Sequence, residues 1–198
     1  AHTKVWCAVT EDHETKEVVV YCDGSGLYSN TSETWRRAME QKGVSFRTWS
    51  ELAEERTQDY VGHNLVSFDA PVLAGRLGIR IPNDNQHDTL IMSRMYDVNV
   101  KGGHSLQAWG DRMGGTGKID YEDHDAPLDA EKIEYCIRDV QLTTRLYHLL
   151  AKKLDQMHFS DRCLRTEINV RRITDKQESN GFKLDFEKAT ALYTTLTQ

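Results

Sequence analysis

The stretch from Asp129 to Lys153 constrains this chain most, because it reads as one long helix whose apolar stripe has to be covered. Asp129 is a good N-cap ahead of Ala130 and Glu131. Ile133, Ile137, Val140, Tyr147 and Leu154 recur at roughly helical spacing with Leu146 and Leu150 beside them. One face is therefore core. Within the run Glu134-Tyr135-Cys136-Ile137-Arg138-Asp139, Tyr135 and Asp139 stand one turn apart on one face, so a phenol can lean over whatever the carboxylate holds. Alone, such a pair is most simply a packed tyrosine and a solvated aspartate.

The 198 residues suffice for one domain with a sizeable core and the start of another. We expect a boundary near residue 157, with 1–157 as the main domain and 158–198 as a helical start of a further region. No apolar run approaches the length of a membrane span, and the first residues lack a signal-peptide profile, which predicts a soluble, cytoplasmic protein with no membrane partner. Cys7, Cys22, Cys136 and Cys163 form no Cys-x-x-Cys pair and read as reduced thiols. The eight histidines show no His-Glu-x-x-His pattern. A net charge of −6 argues against broad duplex binding and leaves room for nucleic acid held through divalent cations.

Lys4 to Val9 and Glu17 to Cys22 are β-rich runs around the polar stretch from Thr10 to Lys16, which predicts a hairpin. Ser29 to Glu55 is polar and helix-prone, with Trp35, Ala38, Met39, Trp49, Leu52 and Ala53 as its buried positions. Tyr60 to Val66 has strand character, and Phe68 to Leu77 reads as a helix with Val72, Leu73 and Leu77 inward. Asp88 to Tyr96 follows with Leu90, Ile91, Met92 and Met95 as its apolar side. Gly102-Gly103 precedes a short helix from His104 to Met113, which the glycines at 114, 115 and 117 end, and an acidic irregular loop runs to Leu128. Beyond the long helix, Gly181 closes one helix and Asp185 can cap the next. The alternation predicts an α/β fold with a mixed sheet.

A second acidic station lies in Val61-Gly62-His63-Asn64-Leu65-Val66-Ser67-Phe68-Asp69-Ala70-Pro71. It leaves a strand, turns, and starts a helix at an aspartate. Pro71 suits the first helical turn and Asp69 is its natural cap, so local structure alone accounts for both. His63-Asn64, Phe68-Asp69, Asp88-Thr89-Leu90, His104-Ser105-Leu106 with Trp109-Gly110, and Tyr135 with Asp139 nevertheless stand in one order. In this the chain resembles the proofreading 3′-5′ exonuclease domain of family A DNA polymerases of the short-tailed bacteriophage type, four-carboxylate exonucleases whose third motif contains tyrosine. The resemblance covers roughly Lys4 to Leu154. Arg165 to Leu192, with Glu167 and Glu178-Ser179-Asn180-Gly181-Phe182-Lys183-Leu184-Asp185, resembles the segment that joins such a domain to its polymerase. The polymerase aspartates and finger helix have no counterpart here.

The resemblance implies a ribonuclease-H-like mixed sheet flanked by helices and metal-dependent removal of 3′-terminal nucleotides from single-stranded or frayed DNA. It makes Asp69 and Asp139 the second- and third-motif metal ligands and Tyr135 the group that orients the attacking water. His63, Asn64 and Phe68 become nucleic-acid-binding residues, although His63 and Asn64 could equally fix the turn. It further implies two magnesium or manganese ions, a polymerase domain in the same or a separate chain, a processivity factor as a further partner, and the host cytoplasm as location. Elementary chemistry agrees, since two divalent cations roughly 4 Å apart are best held by hard carboxylate oxygens. Asp88 and Thr89 read as structural, and His104, Leu106 and Trp109 as core and capping residues.

One departure matters. The family places an Asp-x-Glu on a central strand beside the run matching Lys4 to Val9, and Asp12-His13-Glu14 has those letters only in a hairpin turn. We therefore expect a strand from residues upstream of Ala1, and no exonuclease activity from the 198 residues alone. An enzyme and a catalytically silent domain that positions DNA or docks a partner are the two main readings, and the Asp-x-Glu strand discriminates between them. An RNA-trimming relative is a third, disfavoured by the segment after Arg165.

Overall fold

A computed structural model of the protein describes residues 4–55, 59–114 and 128–197. Its first two strands form the expected hairpin. β1 (Cys7–Glu11) and β2 (Val18–Cys22) run antiparallel, with Cys7 opposite Cys22 and Glu11 opposite Val18. Asp12 closes the turn, its Oδ1 accepting from the amides of Glu14 and Thr15 and from the Thr15 hydroxyl. Asp12-His13-Glu14 is thus a hairpin turn.

All five residues of β2 are buried because the strand is covered on both faces. Val18, Val20 and Cys22 enter one apolar cluster with Ile133 and Ile137, while Val19 and Tyr21 enter another with Leu52 and Ile79. The period of two thus sorts one strand between two cores. After α1 (Gly24–Asn30) and α2 (Glu33–Gln41), a third strand, β3 (Val44–Arg47), pairs parallel to β2 before α3 (Trp49–Glu54). This adds a strand to the stretch from Ser29 to Glu55 read as helix-prone. Val44 and Phe46 pack against the same cluster as β2, whereas Ser45 and Arg47 reach Glu17 at 2.5 and 3.3 Å. The alternation is too short and too polar to announce a strand until β2 supplies its partner.

The second sheet is separate. It consists of β4 (Tyr60–Gly62) and β5 (Gln86–Asp88), paired parallel. The expected strand from Tyr60 to Val66 is cut short at Gly62, because Asn64 takes φ 70 and the chain turns away. Strand β5 precedes the apolar unit from Asp88 to Tyr96, which folds as a helix from Thr89. The flanking helices are α4 (Asp69–Leu77) and α5 (Thr89–Tyr96), followed by α6 (Leu106–Arg112). The glycine-rich end of the last and the acidic loop after it lie largely outside the described residues.

The long helix, α7 (Ala130–Gln156), opens at Asp129, whose side chain accepts from the Lys132 amide. Its stripe is shared along its length. Ile133 and Ile137 cover the three-stranded sheet, while Leu146, Leu150 and Leu154 pack with Met92 and Trp109. It packs against β1 and β4, so one helix spans both sheets. Gly110 lets α6 approach, since a Cβ there would stand 3.1 Å from Leu142 Cδ2. Then α8 (Asp161–Asn180) buries Ile168 against Val66 and Ile91. Gly181 ends it, and Asp185 caps α9 (Phe186–Leu196), as the sequence predicts. Phe182, Phe186, Leu192, Tyr193 and Leu196 remain exposed. The architecture is mixed α/β, and among the described residues no helix is long and apolar enough to cross a membrane.

Candidate functional site

Gly62 to Asp69 forms the turn between β4 and α4, and its shape is imposed from several directions. A Cβ at Gly62 would lie 2.8 Å from that of Leu65, so only glycine permits so tight an exit from the strand. Asn64 tolerates its left-handed φ better than most side chains. The decisive group is Asp88, only 1% exposed. Its Oδ1 accepts from the amides of Leu90 (2.9 Å), Asn64 (3.0 Å) and Ile91 (3.4 Å), and its Oδ2 from that of Val66 (3.0 Å). One buried carboxylate therefore caps α5 and pins the turn, and its charge is tolerated because backbone N–H groups surround it.

Thr89, fully buried, extends this arrangement. Its hydroxyl donates to the Gly62 carbonyl (3.2 Å) and lies 2.9 Å from His63 Nδ1. His63 and Asn64 are thus held by β5 and α5 through polar contacts, and Asp88 and Thr89 are structural as expected.

At the far end of the turn, Phe68 is 51% exposed and occupies the N-cap position of α4. Asp69 is the first helical residue and Phe68 holds the N-cap position, which corrects the reading of Asp69 as the natural cap. Asp69 is an exposed residue, yet protein atoms crowd its carboxyl. That crowding, offset in part by the backbone amide of Asp69 and reinforced by the Asp88 charge, pushes it up to about 6. A carboxyl so poised gains from any nearby positive charge.

Tyr135 and Asp139 sit half-buried one turn apart on α7, and one oxygen of Asp139 is fully shielded from solvent. Asp139 lies between the part of α7 that covers the three-stranded sheet and Tyr147, whose ring meets His87 of β5 edge-on at 6.0 Å. The neighbouring Glu134 accepts from Trp35 Nε1 at 2.7 Å, which anchors the helix to α2. His63, Asn64, Phe68 and Asp69 therefore form one group and Tyr135 with Asp139 a second, on elements that pack together where α7 meets β4.

Among the described residues no group of three or more His, Cys, Asp or Glu side chains is placed to hold a metal ion. Asp69 and Asp139 alone fall short of the oxygen ligands that a pair of hard divalent cations requires, so the described residues do not by themselves fit such a pair. Sequence reasoning also missed residues that shape the turn. Asp88 reads as structural in the sequence, but its grip on amides more than 20 positions earlier carries no local signal. Ser67, Arg171 and Asp175, which meet beside the turn, carry no local signal.

No protein-family model matches the chain. It is 26% identical over 252 residues to the DNA-directed DNA polymerase of Escherichia phage T7, an alignment covering 98% of this chain and 33% of that polymerase. The chain thus spans about a third of the relative it matches, and the likeness relates it to a bacteriophage DNA polymerase.

Proposed function

We propose that this chain is the 3′-5′ exonuclease part of a DNA polymerase, of ribonuclease-H-like fold, and that it removes 3′-terminal nucleotides from single-stranded or frayed DNA. The observation that carries the reading is the start of α4. There an accessible Asp69, its protonation pushed toward neutrality, stands beside an exposed Phe68 on a turn pinned by a buried carboxylate. An exposed aromatic ring offers a base a stacking surface of about 1–3 kcal/mol, whatever the base. His63 and Asn64 shape the approach to the terminal nucleotide, Tyr135 orients the attacking water, and Asp69 and Asp139 contribute to a carboxylate set for two magnesium or manganese ions.

The rest of that set comes, in this proposal, from an Asp-x-Glu strand in the same polypeptide or another. What supports it is the split sheet: among the described residues β1 and β4 each pair with a single strand, and α7 packs against both. A strand between them would join five strands into six around the long helix. The exposed apolar residues of α9 suit continuation into, or contact with, a polymerase domain.

The test is degradation of a 5′-labelled single strand by the protein with and without an added Asp-x-Glu strand, in magnesium or manganese. We expect activity only with the strand, its loss in Asp139→Ala, a milder decrease in Tyr135→Phe, and faster attack on mismatched than on paired primer ends. Full activity in Asp139→Ala would sink the assignment. The second reading, a silent domain that positions DNA, draws on the described residues alone, which gather no three metal-binding side chains. Binding of a primer terminus without cleavage, even with the strand present, selects it.

A further inference from the structure

Helix α8 reaches back to the candidate site through a closed polar triangle. The Ser67 hydroxyl donates to Asp175 Oδ2 at 2.7 Å and accepts from Arg171 Nε at 2.7 Å, while Arg171 and Asp175 pair at 2.7 Å one helical turn apart. An exposed i,i+4 pair on its own contributes only about 0.3–0.5 kcal/mol and positions nothing. This pair is different in two respects. It is largely screened from solvent, with side chains 30% and 25% exposed, and its third member lies more than 100 residues away on the site turn. Both functions of the hydroxyl are used, so its orientation is fixed at two points.

The neighbouring contacts make α8 a rigid backing for that triangle. Ile168, fully buried, packs against Val66 immediately before Ser67. Arg172 donates to the Asn83 carbonyl at 2.8 Å and Arg165 to the Gln86 carbonyl at 3.3 Å, joining α8 to the approach and start of β5. The turn is therefore gripped from inside by Asp88 and from outside by α8. Ser67 is the last residue before Phe68 and Asp69.

We propose that Ser67, Arg171 and Asp175 form a positioning clamp through which α8 holds Phe68 and Asp69 in the conformation that receives a single-stranded 3′ end. This rests on the nucleic-acid reading above. In this proposal the clamp residues act on the turn, not on the reacting atoms. They act by removing the freedom of the turn before the ligand arrives, so that less ordering remains to be done on binding.

Two measurements on the full chain test it. The first is hydrogen exchange of the amides from Val66 to Asp69 without nucleic acid, in wild type, Ser67→Ala, Asp175→Asn and Ser67→Thr. The second is the affinity of the same proteins for a fluorescein-labelled oligo(dT) about eight nucleotides long, by anisotropy in calcium chloride. We expect Ser67→Ala and Asp175→Asn to speed exchange at the turn about tenfold and to weaken the oligonucleotide about threefold to tenfold, with thermal midpoints near wild type. Ser67→Thr, which keeps the hydroxyl, should restore both. Unchanged exchange overturns the clamp, and so does faster exchange with unaltered affinity. If wild type ignores the oligonucleotide while the variants still exchange faster, the nucleic-acid reading fails and the triangle is a brace without a ligand, which overturns the proposal as well.

Discussion

The two sheets of this molecule are built by opposite means. In the three-stranded sheet the central strand is buried throughout, and Val18, Val20 and Cys22 meet Leu27, Met39, Val44, Ile133 and Ile137 in an almost wholly apolar cluster. Around the two-stranded sheet polar groups are buried beside the apolar clusters: Gln86, Asp88, Thr89 and Ser93 are all buried within eight residues of chain. Each has a partner there, Gln86 the Ile81 carbonyl, Asp88 four amides, Thr89 the Gly62 carbonyl, and Ser93 both His104 and the Trp109 indole. Apolar burial is non-directional and fixes that a strand is covered, whereas hydrogen bonds fix angles and distances. The turn that carries Phe68 and Asp69 lies on the side where hydrogen bonds join the packing, and they place it closely enough to present particular atoms.

Breaking the apolar side should have the largest effect on stability. Ile133→Ala removes most of a fully buried side chain between α7 and β2, and we expect a loss of roughly 2–5 kcal/mol in chemical denaturation, spread over the whole cooperative unit. If the loss stayed confined to one sheet, α7 would not be the element that unites them.

On the polar side, Asp88→Ala orphans several amides at once, and we expect about 2–4 kcal/mol with a different signature. Exchange at Asn64, Val66, Leu90 and Ile91 should accelerate well before the global transition. Uniform acceleration across both sheets would erase the contrast.

A smaller effect should appear as a pH dependence. Burial, and then the nearby Arg165 charge, hold His87 below its usual 6.5, against a weaker opposing pull from Asp59. The unfolded chain therefore binds this proton at higher pH than the folded one. Its contribution to stability is complete above about 6.5 and declines as pH falls toward the folded value. His87→Phe keeps a ring against Tyr147 and cannot titrate, so its melting temperature relative to wild type should rise as pH is lowered from 7 to 5. A constant difference across that range would refute the assignment.

The smallest effect belongs to the surface of the apolar side. Arg37 and Glu33 pair at 2.6 Å on α2 with both side chains about 70% exposed, and Arg37→Ala should alter stability by less than about 0.5 kcal/mol. A larger loss would mean that α2 depends on directional contacts after all.

Much of this architecture was legible because it rests on local chemistry. Asp129 and the apolar stripe after it announce α7, the polar run from Thr10 to Lys16 announces the hairpin, and Gly181 and Asp185 mark the end of one helix and the start of another. The placement of Asp69 and Tyr135…Asp139 on helices followed from the same signals. What local chemistry could not supply was partnership. Val44 to Arg47 becomes a strand because β2 is there to pair with it, and Tyr60 to Val66 stops being one at Gly62 because Asp88 captures the amides beyond. The sequence by itself determined which faces are apolar, where helices begin and end, and which acidic residues stand at helix starts or on one helical face. Only the tertiary structure decided that the strands divide into two sheets under one helix, that one buried aspartate serves two segments, and that Ser67 meets Arg171 and Asp175 across the chain. The physical reason is that capping and amphipathic periodicity act within a few residues, whereas a buried donor or acceptor takes whichever partner the packed chain brings within reach.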